Sequence, residues 1–184
     1  MNELNLLENY ECVAYHGTKK ENVSSILKDG FNISDEDDEY LGTGIYFYEK
    51  DIFQAIYWRT KAKKDKITNV GVIKANIKSD KLIDLTLTSH YEYVYDLSEK
   101  IRKRAKNALS KKGFKPSKLT PKNIFNTLYR LKEFDVIKHV FKVPHGGKII
   151  GTEVFRSQIQ LCIRNRKAIH NLEEVDLNGY EELP

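Results

Sequence analysis

Gly42-Thr43-Gly44-Ile45-Tyr46-Phe47-Tyr48, with Gln54-Ala55-Ile56-Tyr57 close behind it, is the stretch on which the reading of this sequence turns. Two glycines run into β-branched and aromatic residues, the composition of a turn entering a strand. Asp51 stands where a helix cap belongs, so a helix is expected over about 52–61 with Phe53, Ile56 and Tyr57 inward. Upstream, residues 11–15 read as a short strand entering a turn at His16-Gly17-Thr18. A helix over 21–28 follows, with Val23, Ile26 and Leu27 on one side. Gly30 stops it, because glycine takes the left-handed cap conformation without steric penalty. Residues 32–40 are polar and acidic, a loop by composition.

Farther along, residues 70–77 alternate as a half-buried strand does, and 81–85 read as another short strand. Residues 91–112 and 122–141 are expected to be helices parted by Pro116 and Pro121, the latter well placed at a helix start. Strand character returns at 148–151 and 154–163, and the acidic tail, about 171–184, is expected to be loosely ordered. The pattern is α+β in a single domain over 1–184, with a helical insertion at about 90–142. A chain of 184 residues fits one core, and no repeat or linker divides it.

Charge is unevenly spread: Lys plus Arg number 31 against 26 Asp plus Glu. The insertion carries Arg102, Lys103, Arg104, Lys106, Lys111 and Lys112, with no acidic residue from 100 to 122. Such a segment suits a polyanion such as nucleic acid, or else a solvated helix face or an acidic protein partner. The two cysteines, Cys12 and Cys162, are far apart and flanked by apolar residues, which fits buried thiols and a reducing cytoplasm. No stretch approaches the roughly 20 apolar residues of a membrane span, and no signal-peptide pattern opens the chain. Neither membrane association nor a metal is expected.

Taken in order and spacing, Tyr15-His16-Gly17-Thr18, Asp29-Gly30-Phe31, Gly42-Thr43-Gly44-Ile45-Tyr46-Phe47 and the Gln54 to Tyr57 segment resemble the NAD-binding half of poly(ADP-ribose)-polymerase-like ADP-ribosyltransferases. The resemblance is close over about 12–60 and loose over 148–170. It implies an ADP-ribosyltransferase fold: split, mostly antiparallel sheets around an NAD cleft with flanking helices. The family carries Ser and Tyr eight and eleven residues after its first Tyr; here Gln54 and Tyr57 stand there, so the Tyr matches and the Ser does not.

The residue types make chemical sense for NAD⁺ as co-substrate. A nicotinamide amide needs one donor and one acceptor at fixed spacing, which the N–H and C=O of Gly17 supply if no side chain blocks the approach. His16 and Thr18 offer hydrogen bonds to ribose. Tyr46 and Tyr57 would sandwich the flat ring, at about 0.5 to 1.5 kcal/mol per aromatic pair beyond burial. Gly44, with Gly42, lets the chain turn closely behind it.

In the family a glutamate on a late strand binds the nicotinamide-ribose 2′-hydroxyl. The matching strand here, Ser157-Gln158-Ile159-Gln160-Leu161-Cys162-Ile163, offers glutamine: Gln158 first, Gln160 in reserve, on the face opposite Ile159, Leu161 and Ile163. A glutamine amide orients a hydroxyl but takes no proton, which argues against chain elongation and leaves transfer of one ADP-ribose feasible.

The resemblance thus implies a mono-ADP-ribosyltransferase acting on a macromolecule, and the basic segment sets nucleic acid, RNA among the options, slightly ahead of protein as its acceptor. A small transferase of this kind suits a toxin or anti-phage effector with a neutralising antitoxin partner. Two other classes compete: an NAD⁺-dependent RNA 2′-phosphotransferase, and an NAD⁺ or ADP-ribose binding module without turnover. Arg156, Arg164 and Arg166 flank the glutamine strand and are expected to add positive field or pair with pyrophosphate.

Overall fold

A computed structural model describes residues 4–35, 39–110, 120–143, 147 and 149–180. Strand β1 (Tyr10–Lys19) passes straight through His16-Gly17-Thr18, where a turn was expected. It does so because β3 (Val70–Ser79) pairs with it from Tyr10↔Ser79 to Lys19↔Val70, supplying partners along the whole length. Between them come helix α1 (Val23–Asp29), strand β2 (Ile45–Glu49) and helix α2 (Ile52–Tyr57). Gly30 closes α1 at φ +81° with its N–H on Ile26 C=O, the cap that its position predicted. Asp51 caps α2 by accepting from the Gln54 N–H at 3.2 Å, and a π-helical turn, Trp58–Ala62, continues it. Phe53, expected inward, is exposed and lies against Tyr180 instead.

Strand β4 (Leu82–Asp84) leads into helix α3 (Thr88–Ser110) and helix α4 (Pro121–Leu131), Thr120 accepting from the Asn123 N–H at its start. The second helix of the insertion ends ten residues sooner than expected, since residues 136–142 form strand β5 (Val136–Lys142). Its slot between β4 and β6 (Ser157–Ile163) decides the matter, because two open edges satisfy its backbone. Of residues 148–151, expected as strand, 149–151 lead through a turn and Lys148 lies outside the described residues. The acidic tail is ordered at its start: β7 (Ile169–Glu174) pairs with β3, while Val175, Leu177 and Tyr180 pack beside α2.

The fold is α+β, with one seven-stranded sheet in the order β4-β5-β6-β2-β1-β3-β7, parallel only at β4–β5. The expected split survives only as a seam: β2 and β1 are joined solely at Ala14↔Glu49 and Tyr15↔Tyr48. One face of the sheet buries Ala14, Phe47, Ile73, Ala75 and Leu161 with α1 and Phe31. The other face carries two separate patches. Ala55 and Ile56 of α2 cover Tyr48, Val70 and Val72, whereas α3 and α4 bring Leu97 and Leu128 onto Ile83, Ile137 and Cys162. Each fully buried side chain of this size stabilises the fold by about 1.5 to 3 kcal/mol. Both cysteines are free and buried, as expected. Among the described residues, no helix is long and apolar enough to cross a membrane.

Candidate functional site

At the seam, the backbone of Gly17 turns toward β2. Opposite residues of an antiparallel pair either exchange both hydrogen bonds or none. The C=O of Val72, opposite Gly17, accepts from Val175 on its far side at 2.9 Å. Val72 therefore faces β7, and Gly17 directs its N–H and C=O away from β3. Val13, four residues earlier on the same edge, confirms the direction by accepting from the Lys50 N–H at 2.9 Å.

Continuing the register would set Gly17 against Tyr46, but the ladder has already stopped. The His16 imidazole takes up the vacant acceptor, its Nδ1–H donating to the Tyr46 C=O at 2.7 Å. A ring side chain wedges apart two strands that backbone bonds would otherwise zip together, and the polar edge of Gly17 is left outside the ladder. Burial holds the His16 pKa below the ordinary histidine value, with Arg59 acting in the same sense and the Tyr46 carbonyl opposing. The ring is thus neutral with Nε2 as its acceptor. It packs edge-on to Phe31 at 4.9 Å and tilted to Phe47 at 5.6 Å. Thr18, two residues on, is buried on the same face.

Tyr46 projects to the opposite face. Its hydroxyl donates to the Gly42 C=O at 2.6 Å and accepts from the Leu41 N–H at 3.1 Å, so it pins the glycine loop that precedes it. Gly44 is needed for close approach, since a Cβ there would lie 2.4 Å from Cys162 Sγ. Gly17 is needed for a reason the sequence did not disclose: a Cβ would lie 2.2 Å from the Ala55 C=O oxygen. Helix α2 rests on that glycine, while its in-plane edge stays open to the seam.

Gln54 and Tyr57 lie three residues apart, on one side of α2. Gln54 is 1% exposed, and its Nε2 has no hydrogen-bond partner. A buried, unsatisfied amide costs about 1 to 3 kcal/mol, so such a donor calls for an acceptor that the chain itself does not supply. Tyr57 is half-buried at the end of the helix. His16, Gly17 and Tyr46 thus meet at the seam, Gly44 is bonded to Ser34 and lies against Cys162 two residues before Tyr46, and Gln54 and Tyr57 belong to the helix that rests on Gly17.

The glutamine strand sets its two candidates at different distances from Tyr46. Tyr46 faces Cys162 and Tyr48 faces Gln160, whereas β2 has ended before Gln158, which faces only Phe141 of β5. At about 3.3 Å per residue, Gln160 stands roughly 7 Å along from the position opposite Tyr46 and Gln158 twice as far. Gln160 is the nearer of the two to Tyr46 along the strand. Cys162, on the same face, is buried beneath α4, and burial pushes its thiol up to about 12.

Arg164 does not reach for a ligand. It donates to Asn126 Oδ1 at 2.8 Å and to the Thr43 C=O, and lies 4.4 Å above the Tyr129 ring, tying the glycine loop to α4. Arg156 and Arg166 are exposed. Arg102, Lys103 and Arg104 are exposed on α3, but Arg102 pairs with Glu99 at 2.7 Å, a counter-charge just upstream of the basic run. Lys106 also falls on α3, and Lys111 and Lys112 lie outside the described residues. Two surface cavities of about 550 and 570 Å³ lie elsewhere, one at the start of β1 beside Lys78 and His170, the other between Asp35 and Asn126. Neither is lined by His16, Gly17, Tyr46 or Tyr57.

Two features of the site escaped the sequence reading. Arg59, whose Cγ comes near Gly17, forms an ion pair with Asp65 behind the seam. His139 faces Gln160 across β5 and β6. Helical spacing from Ala55 signals the first; nothing in a single strand's sequence names its cross-strand partner.

No family model matches the chain. The chain is similar to a protein of Methanocaldococcus jannaschii named as uncharacterized protein MJ0359, 27% identical over 188 residues that span 89% of this chain and 86% of that one.

Proposed function

We propose that the protein is an NAD⁺-consuming mono-ADP-ribosyltransferase built on an ADP-ribosyltransferase fold. The observation that carries this reading is the backbone edge of Gly17, held outside the ladder by the His16–Tyr46 bond. A primary amide is the complement of such an edge, accepting from its N–H and donating to its C=O. The unpartnered Nε2 of Gln54 adds a buried donor on the helix above. NAD⁺ would be held by Gly17 and Gln54 at its carboxamide, by Tyr46 and Tyr57 at its ring, and by His16 and Thr18 at ribose. Gln160, in place of a carboxylate, would bind the 2′-hydroxyl of the nicotinamide ribose. When bound, NAD⁺ supplies a ribosyl carbon whose leaving group departs as neutral nicotinamide. Around it the protein contributes position and fixed dipoles.

We take nucleic acid, RNA before protein, as the acceptor, since Arg102, Lys103 and Arg104 present an exposed cationic stretch on α3. A cytoplasmic toxin or anti-phage effector, restrained by an antitoxin protein, is the biological setting that fits such a transferase. The glutamine at the carboxylate position favours a second reading, NAD⁺ binding without turnover. Incubation with labelled NAD⁺ and total RNA or lysate protein decides between them: label on RNA supports transfer, and saturable binding without nicotinamide release supports the second. Reversing the charges of Arg102, Lys103 and Arg104 is expected to weaken RNA labelling while sparing nicotinamide release. Unchanged RNA labelling by that variant would point away from nucleic acid.

A further inference from the structure

A glutamine at the ribose site leaves the proton of the attacking group without an acceptor, and the opposite strand offers one. Sheet register places Tyr15, Tyr48, Gln160 and His139 in one row across β1, β2, β6 and β5. Directly opposed residues share a face. This row therefore lies on the face that α2 covers at one end and α3 with α4 at the other, and Gln160 and His139 are both only half-buried between those patches.

We infer that His139 is the general base of the proposed transfer reaction, receiving the acceptor's proton while Gln160 orients the ribose. The inference rests on the transferase reading. Cβ atoms of an opposed pair lie about 4.5 to 5.5 Å apart, so the imidazole reaches the space in front of the Gln160 amide. Its Nδ1 is buried with no hydrogen-bond partner, and the ring is held edge-on by Phe141 at 4.8 Å.

The other described histidines are committed elsewhere. His16 gives Nδ1 to Tyr46 and lies on the opposite face. His90 spends both nitrogens, one accepting from the Asp84 N–H at 2.9 Å and the other on the Asn5 C=O at 2.7 Å. His170 is exposed on the edge strand β7.

Burial lowers the His139 pKa and the charge of Asp84 on β4 partly restores it, so the ring is neutral at physiological pH. The group facing it from β6 is the uncharged Gln160; Lys138 beside it projects from the opposite face, where it pairs with Glu49 and Asp84. Glu39 acts on Tyr46 and Cys162 instead. In the step itself, an acceptor hydroxyl oxygen bonds to C1′ of the nicotinamide ribose. The C1′–N bond breaks with its electron pair going to nicotinamide, and the hydroxyl proton passes to His139.

Labelled NAD⁺ and total RNA test this with wild type, His139→Gln and His139→Asn, following RNA label across pH 5 to 8 alongside NAD⁺ affinity. We expect both variants to bind NAD⁺ within about two-fold of wild type and to lose roughly 100-fold in transfer. Added imidazole should restore part of the rate in His139→Ala. Wild-type transfer should fall as pH drops through a value below the ordinary histidine range of about 6.5, and that acid limb should vanish in the variants. Wild-type turnover left unchanged by all three substitutions, acid limb included, overturns the assignment alone. Wild-type protein that leaves NAD⁺ intact overturns the transferase reading and the assignment with it.

Discussion

Gly17→Ala separates the two uses of that glycine. The new Cβ would lie 2.2 Å from the Ala55 oxygen, 3.0 Å from its carbonyl carbon and 3.1 Å from Arg59 Cγ. The first two are backbone atoms in the middle of α2, so no rotamer change relieves them. The helix must lift by about 1 Å from β1, loosening Ala55 and Ile56, both fully buried against Tyr48 and Val72. Overpacking of this kind costs about 1 to 3 kcal/mol. At about 2 to 4 °C per kcal/mol for a domain of this size, Tm should fall by roughly 2 to 12 °C. Because the lift also moves Gln54 and Tyr57 off the seam, NAD⁺ affinity should fall further than stability alone explains, by ten-fold or more. Differential scanning fluorimetry with and without NAD⁺ reads both effects. An alanine variant that melts with wild type would refute the contact of α2 with Gly17, and one that melts lower yet keeps its NAD⁺ shift would refute the placement of the nicotinamide there.

Gln160→Glu should raise the transfer rate, and Gln158→Glu should leave it unchanged; the reverse ranking, measured by labelled NAD⁺, would show that β2–β6 register is not what selects the ribose ligand. Arg164→Ala removes a buried-end tie among Thr43, Asn126 and Tyr129 and should cost about 2 to 3 kcal/mol in urea unfolding, the range for hydrogen bonds to a charged group with lost stacking. His16 is held neutral in the fold, with its pKa below that of the unfolded chain. The stability tied to it is therefore complete above about pH 6.5 and drains away as pH falls toward the lower folded value. Tm should drop between pH 7 and 5, and less so in His16→Asn; equal slopes for the two proteins would remove His16 from the account.

Local chemistry in the sequence determined much of the first 60 residues. Gly30 ends α1 because its backbone needs positive φ, Asp51 caps α2 because a carboxylate can accept from the first turn, and the run from Ile45 is a strand because aromatic and β-branched side chains pack on a pleated surface. The grouping of His16-Gly17, Gly44, Tyr46 and Tyr57 into one candidate site came instead from their order and spacing, which resemble those of ADP-ribosyltransferases. What depends on distant partners was not legible. His16-Gly17-Thr18 looks like a turn until β3 lies beside it, and residues 136–142 pass for helix until β4 and β6 leave a slot between them. Residues 171–174 read as the start of a loose acidic tail until β3 offers an edge. How far Gln160 and Gln158 each stand from Tyr46, and the pairing of Gln160 with His139, belong to tertiary structure alone. Alternation along one strand tells which residues share a face, but only the neighbouring strands fix how far along that face each one stands.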